Sequence, residues 1–197
     1  MIKTVIVEDD RMVAAINNQF ALKTPGVQVI ATFYNGKDAL AFLKETKVDL
    51  LLLDLYMPEY SGLELLTDLR RQNLNIDVIM ITAANDIVHI EQALHLGIID
   101  YLIKPFQYER FSIAMDKFLL RKKVMENGLE SIRTSLNKHS NAYLTSEQIA
   151  EETGLSKVTV RRYMNFLIEQ NEIISRIDYE TGGRPRVEYC TNHPVKN

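Results

Sequence analysis

Residues 48–58, Val-Asp-Leu-Leu-Leu-Leu-Asp-Leu-Tyr-Met-Pro, restrict the folds open to this chain more than any other stretch. Leu50 to Leu53 show no polar alternation, the pattern of a strand covered on both faces, which means a parallel sheet with helices on each side. Pro58 and Gly62 then turn the chain off the sheet. Asp54 therefore stands where a buried strand ends and a turn begins. In open α/β sheets ligands collect at the carboxyl edge of the strands, so an acid placed there is a candidate for chemistry. A helix cap is the plainer role, but Ser61, nearer the next helix, already offers a capping oxygen.

The same strand-then-helix grammar runs through the first 121 residues. Ile2 to Val7 is a β-branched run ending at Glu8-Asp9-Asp10, followed by helical spacing at Val13, Ile16 and Phe20. Val27 to Phe33, Ile76 to Ile81 and Ile98 to Ile103 read as further strands, with helices marked by Ala39, Leu40 and Leu43, by Leu63, Leu66 and Leu69, by Ile87, Ile90 and Leu94, and by Phe111, Met115 and Phe118. Five strands alternating with five helices imply a doubly wound five-stranded parallel sheet, whose strand ends share one edge. Glu8 and Asp9, Asp54, Thr82 and Lys104 each end a different strand, so the topology converges them on one site.

Three carboxylates at close range cannot all stay ionised without a counter-charge, and a hard divalent cation is the usual one. With no His or Cys in the cluster, Mg²⁺ fits the donors better than zinc or copper. Glu8 and Asp9 would hold it, and Asp54 would attack phosphorus as a nucleophile, giving an acyl phosphate. Lys104 and the Thr82 hydroxyl would each serve a phosphoryl oxygen.

These residues, in this order at these strand ends, resemble the receiver domain of two-component response regulators over residues 1–121. The resemblance implies a sensor histidine kinase as phosphoryl donor, Asp54 as phosphoacceptor, Glu8 and Asp9 as metal ligands, Thr82 as switch hydroxyl, Tyr101 as a turning switch aromatic, and a cis bond at Lys104-Pro105. It also makes the Tyr56 backbone carbonyl a third metal ligand. Read from the residue alone, Tyr101 near a strand end is a core aromatic with its hydroxyl at the surface. The Tyr56 side chain, two residues past the acceptor, is expected to shield a phosphoryl group from water.

At 197 residues with 46% hydrophobic content, two small domains are within reach. Residues 1–121 hold 12 basic and 16 acidic groups, net −4, and residues 122–197 hold 11 and 10, net +1. The halves differ in character. A lone cysteine, Cys190, no signal-peptide pattern and no membrane-length apolar run point to a cytoplasmic chain without membrane contact.

Residues 122–140 read as a helical linker with Gly128 interrupting it, and residues 141–197 as a DNA-binding domain. Ser146 precedes a short helix with Ile149 and Ala150 that ends at Thr153-Gly154, and Ser156 caps a second helix to about Gln170. A Gly between two short helices is the helix-turn-helix sign. The second helix is apolar at Val160, Tyr163, Met164 and Leu167, whereas Lys157, Val158, Thr159, Arg161, Arg162 and Asn165 form the candidate DNA-reading set. A charged outer face is by default only a solvated one. What raises it above that is a following hairpin, Ile173 to Ile177, Thr181-Gly182-Gly183 and Arg184 to Tyr189, which completes a small winged helix-turn-helix whose Arg184 and Arg186 would reach phosphate or the minor groove.

Leu155-Ser156 and Gly183-Arg184-Pro185 make this half similar to the response regulators of citrate, malate and other C4-dicarboxylates. The resemblance then implies a transcription regulator, an activator that forms a homodimer on phosphorylation, with double-stranded DNA as partner and no enzymatic turnover. Two other classes share parts of the pattern. An aspartate-nucleophile phosphatase needs a second acid where this chain has Tyr56, and a flavodoxin-like cofactor binder needs a phosphate-cradling loop where it has Glu8-Asp9-Asp10.

Overall fold

Strands β1 (Ile2–Val7), β2 (Val27–Phe33), β3 (Leu50–Asp54), β4 (Asp77–Ala83) and β5 (Asp100–Lys104) form one parallel sheet in the order β2-β1-β3-β4-β5. The computed structural model describes residues 1–83, 87–139, 142–179 and 185–192. Helices α1 (Arg11–Leu22), α2 (Gly36–Glu45), α3 (Gly62–Arg71), α4 (Ile87–His95) and α5 (Tyr108–Lys138) alternate with the strands. Period-two alternation sorts the strand side chains: Val5, Val7, Leu51, Leu53, Val78 and Met80 pack with α2, α3 and α4 residues such as Leu43, Leu66 and Ala93. Ile6, Leu50, Leu52, Ile79, Ile81 and Leu102 pack instead with Ala14 and Ala21 of α1 and Phe111, Met115 and Phe118 of α5. This two-sided burial is why Leu50 to Leu53 carry no polar residue. Each such leucine contributes roughly 1.5–3 kcal/mol of transfer free energy, and truncating Leu52 to Ala would cost about 2–5 kcal/mol.

The sequence order reverses between β1 and β3, the switch point beside which α/β sheets bind ligands. Arg70 closes the far edge of the sheet: its guanidinium donates to the carbonyls of Leu96, Leu74 and Ile76 at 2.9–3.0 Å, satisfying loop acceptors behind α3 and α4.

The chain divides into two compact units, residues 1–120 and 121–197. In the second, β6 (Leu144–Thr145), β8 (Arg186–Thr191) and β7 (Ile173–Asp178) form a small antiparallel sheet beside α6 (Ser146–Thr153) and α7 (Lys157–Glu169). Its core joins Leu129, Ile132 and Leu136 of α5 to Leu144, Ile149, Val160, Met164, Leu167, Ile173 and Tyr189. The stretch read as a linker thus supplies core.

One local expectation needs correction. Gly128 does not interrupt the helix: α5 continues through it, because a Cβ there would lie 2.6 Å from the Tyr163 ring, so the missing side chain admits the ring of α7. Packing overrides the helix cost of about 1 kcal/mol for glycine. Thr145 caps α6, its hydroxyl accepting from the Gln148 N–H while the Gln148 side chain accepts from the Thr145 N–H, and Ser146 is the first helical residue. Strand β6 has two residues, too few to leave a periodic signal. The turn at Thr181-Gly182-Gly183 lies outside the described residues. Among those described, no helix is long and apolar enough to cross a membrane.

Candidate functional site

Each member of the acidic cluster is delivered by a strand end. Glu8 follows β1, its N–H held by the Phe33 carbonyl at 3.0 Å, and is fully buried. Asp9 is exposed beside it. Asp10, the third acid of the run, caps α1 by accepting from the Met12 and Val13 N–H groups at 2.7 and 3.2 Å, which explains the acid without chemistry. Asp54 ends β3 and is buried. The chain beyond it doubles back so tightly that a Cβ on Gly62 would lie 2.0 Å from the Asp54 carbonyl oxygen, so only glycine can open α3 here. The Ser61–Glu64 capping box then fixes that helix start.

Lys104, at the end of β5, reaches across to both buried acids. Its Nζ donates to Glu8 Oε1 at 2.8 Å and lies 3.0 Å from Asp54 Oδ2. It is also 2.8 Å from Glu8 Oε2, so both oxygens of that carboxylate share the one ammonium. Burial of Glu8, only partly offset by Lys104 and reinforced by the charge of Asp54, pushes its carboxyl up to about 7. Burial pulls the Lys104 ammonium down, but the hydrogen bond to Glu8 and the charge of Asp54 outweigh it and hold the group above its ordinary range.

Glu8, Asp9 and Asp54 each present a carboxylate oxygen within 4.8 Å of the others. An all-oxygen donor set, with two of its three carboxylates buried around a single ammonium, fits a hard divalent cation. Tyr56 donates its N–H to Asp54 Oδ1 at 3.2 Å, and its half-exposed side chain lines a groove of about 510 Å³ with Leu55, Tyr60, Leu63, Thr67 and His89. Thr82 is buried near the end of β4, its hydroxyl donating to the Ala83 carbonyl at 3.3 Å. Tyr101 is half-buried against the α2–α4 core, and its carbonyl accepts from Arg110. Lys104-Pro105 is cis.

On the second unit, α7 buries Val160, Tyr163, Met164 and Leu167 and exposes Lys157, Val158, Arg161, Arg162 and Asn165. Ser156 caps it, accepting from the Thr159 N–H at 3.1 Å, and the Thr159 hydroxyl meets the Ser156 hydroxyl at 2.9 Å. Lys157 pairs with Glu147 of α6 at 3.3 Å. The Arg162 guanidinium lies 5.5 Å from the centre of the adjacent Tyr163 ring. Arg186 opens β8 and is exposed, while Arg184 lies outside the described residues. Sequence reasoning missed Arg133, whose guanidinium grips Glu172 at 2.8 Å through two nitrogens, and Arg176, stacked 3.8 Å over Tyr143 and paired with Glu188. Both tie unit-two elements far apart in sequence, so no local pattern announces them.

A family model described as the response regulator receiver domain matches residues 4–116. The chain is 34% identical to the transcriptional regulatory protein MalR of Bacillus subtilis, over 98% of this chain and 96% of that protein. It is 32% identical to the probable C4-dicarboxylate response regulator DctR of Bacillus subtilis, over 95% and 96%. Among solved structures, the response regulatory domain of protein mrkE from Klebsiella pneumoniae superposes with a TM-score of 0.57 at 27% identity, covering 61% of this chain and 97% of that one.

Proposed function

This chain belongs to the response-regulator family, and from that premise we propose that Asp54 accepts a phosphoryl group from a sensor histidine kinase and that the second unit then regulates transcription by binding double-stranded DNA. The observation that carries the reading is the grip of Glu8 and Asp54 on Lys104 Nζ, at 2.8 and 3.0 Å, across the ends of three strands.

An Asp54 oxygen forms the new bond to phosphorus as the donor's bond to phosphorus breaks, leaving an acyl phosphate. Glu8, Asp9, Asp54 and the Tyr56 carbonyl are the residues that would hold Mg²⁺, which when bound supplies neutralising positive charge to the carboxylates and the phosphoryl oxygens. Lys104 leaves the carboxylates for a phosphoryl oxygen, a charge-assisted contact. The Thr82 hydroxyl gives up the Ala83 carbonyl to donate to another, and Tyr101 turns into the space it vacates. Nothing in this sequence turns over substrate: the chain is consumed and reset as a switch.

Lys157, Val158, Thr159, Arg161, Arg162 and Asn165 contact DNA, with Arg184 and Arg186 on the wing, and two copies bind as a homodimer in the cytoplasm. The likeness to DctR, together with the Leu155-Ser156 and Gly183-Arg184-Pro185 signatures, supports genes of organic-acid transport or metabolism as targets. In the test, a small acyl-phosphate donor with Mg²⁺ adds one phosphoryl group to wild type, read by intact mass, and none to Asp54→Asn. Equal labelling of the variant overturns the assignment.

A further inference from the structure

We infer that Val158 reads the 5-methyl group of a thymine, so that the DNA sequence preferred by the second unit has an A·T pair where the start of α7 enters the major groove. This rests on the DNA-binding reading above and specifies what that surface selects.

Val158, Arg161, Arg162 and Asn165 follow the i, i+3, i+4, i+7 spacing and are all exposed, so they form one stripe opposite the buried Val160, Tyr163, Met164 and Leu167. No acid interrupts the stripe before Glu169. Its amino-terminal end holds few unclaimed groups. The Ser156 hydroxyl caps the helix, the Thr159 hydroxyl is bonded to it at 2.9 Å, and Lys157 is drawn aside to Glu147 at 3.3 Å. Val158 is left pointing outward, 78% exposed.

A single apolar residue on a surface is ordinary. This one is β-branched, a poor choice for an exposed helical position on propensity alone, and it shares its stripe with two guanidinium groups and an amide. Seven residues of helix rise about 10.5 Å, or roughly three base steps of about 3.4 Å each. The stripe therefore reaches across about three base steps, with Val158 at the end that leads into the groove. Valine has no donor or acceptor, and the one apolar feature on a major-groove base edge is the thymine methyl. Arg161 or Arg162 one turn on has the geometry for guanine, and Asn165 two turns on that for adenine.

The test uses the full-length protein, phosphorylated with the acyl-phosphate donor and Mg²⁺, and duplexes that it enriches from a randomised pool. Each thymine of the enriched site is replaced in turn by deoxyuridine, which removes only the methyl group. At one position per half-site, wild type should bind about fourfold more weakly, the effect of one buried methyl. Val158→Ala should bind the thymine and uracil duplexes equally, while keeping its preference for the enriched site over a scrambled one. Putting 5-methylcytosine opposite guanine at that position should restore part of the methyl-dependent affinity to wild type alone. If wild type prefers the enriched site but ignores deoxyuridine at every position, or if Val158→Ala stays equally methyl-sensitive, the inference is wrong and the DNA-binding reading stands. If no sequence is enriched, the DNA-binding reading fails and takes the inference with it.

Discussion

The acidic cluster of the first unit and the basic face of the second both gather charge of one sign, but one holds it buried and the other holds it in water. Glu8 and Asp54 are shut into the strand edge with a single lysine between them, and the result is a Glu8 carboxyl pushed up to about 7. Arg161, Arg162 and Asn165 are exposed on the outside of α7, where charge costs little. Under the proposed function, the first arrangement is already suited to a cation and a phosphoryl group. The second carries no such tension, so its specificity must come from which side chains share the stripe.

The comparison breaks most directly at Glu8. The folded state holds this proton more tightly than the unfolded chain, so its contribution to stability is complete below about pH 4.5 and is lost as pH rises through about 7. In the presence of a chelator, Glu8→Gln should abolish that decline, leaving the variant more stable than wild type at pH 8. Its Mg²⁺-dependent phosphorylation should slow on the order of 100-fold, as expected for losing a metal-supporting carboxylate. Thermal melts across pH 5 to 8 with chelator check the first half, and a phosphorylation time course the second. An unchanged pH slope in the variant would show that burial of Glu8 carries no tension.

Gly128→Ala sharpens the same contrast from the other unit. The added methyl would meet the buried Tyr163 ring, so α7 must shift, and overpacking of this kind costs about 1–3 kcal/mol. Helix propensity alone predicts the opposite sign, a gain of up to about 1 kcal/mol. Denaturation of the full chain should therefore show a less stable second unit and weaker DNA binding, while Asp54 accepts phosphate at the wild-type rate because the contact lies wholly within residues 121–197. A stabilised second unit would mean that the Tyr163 ring gives way freely.

The two units also differ in how much of them could be read from residues alone. Apolar and β-branched runs located the five strands of the first sheet and the residues at their ends, most sharply at β3, where burial on both faces leaves a signal several residues long. The second unit depends on contacts that are point-like in sequence. A glycine that looked like a break is a seat for Tyr163, a two-residue strand completes the sheet, and the Arg133–Glu172 pair bridges 39 positions. Within the first site, spacing identified the carboxylates, whereas the need for glycine at position 62 follows only from how closely α3 returns to the Asp54 carbonyl. Periodicity reports burial faithfully, and it is silent on close approach.

The smallest effect concerns Tyr56, where the acidic site meets solvent. Its N–H is committed to Asp54 Oδ1 at 3.2 Å, so the backbone is fixed, but half of the side chain remains exposed along the groove that includes His89. Hydrolysis of an acyl phosphate on Asp54 requires water in line behind phosphorus, and a lost near-attack geometry can slow such a step by on the order of 100-fold. A half-exposed ring shields less than a buried one, because it leaves part of the approach open. We therefore expect Tyr56→Asn to speed decay of the phosphorylated protein only by roughly three- to tenfold, well short of the limit for fully lost alignment. Tyr56→Phe should decay at the wild-type rate, since the shielding is steric and the hydroxyl takes no part. Decay of purified phosphoprotein, followed by intact mass after the donor is removed, separates these outcomes. An Asn variant no faster than wild type would confine Tyr56 to its backbone role, and a Phe variant that decays as fast as Asn would mean that the hydroxyl, rather than the ring, restrains the water.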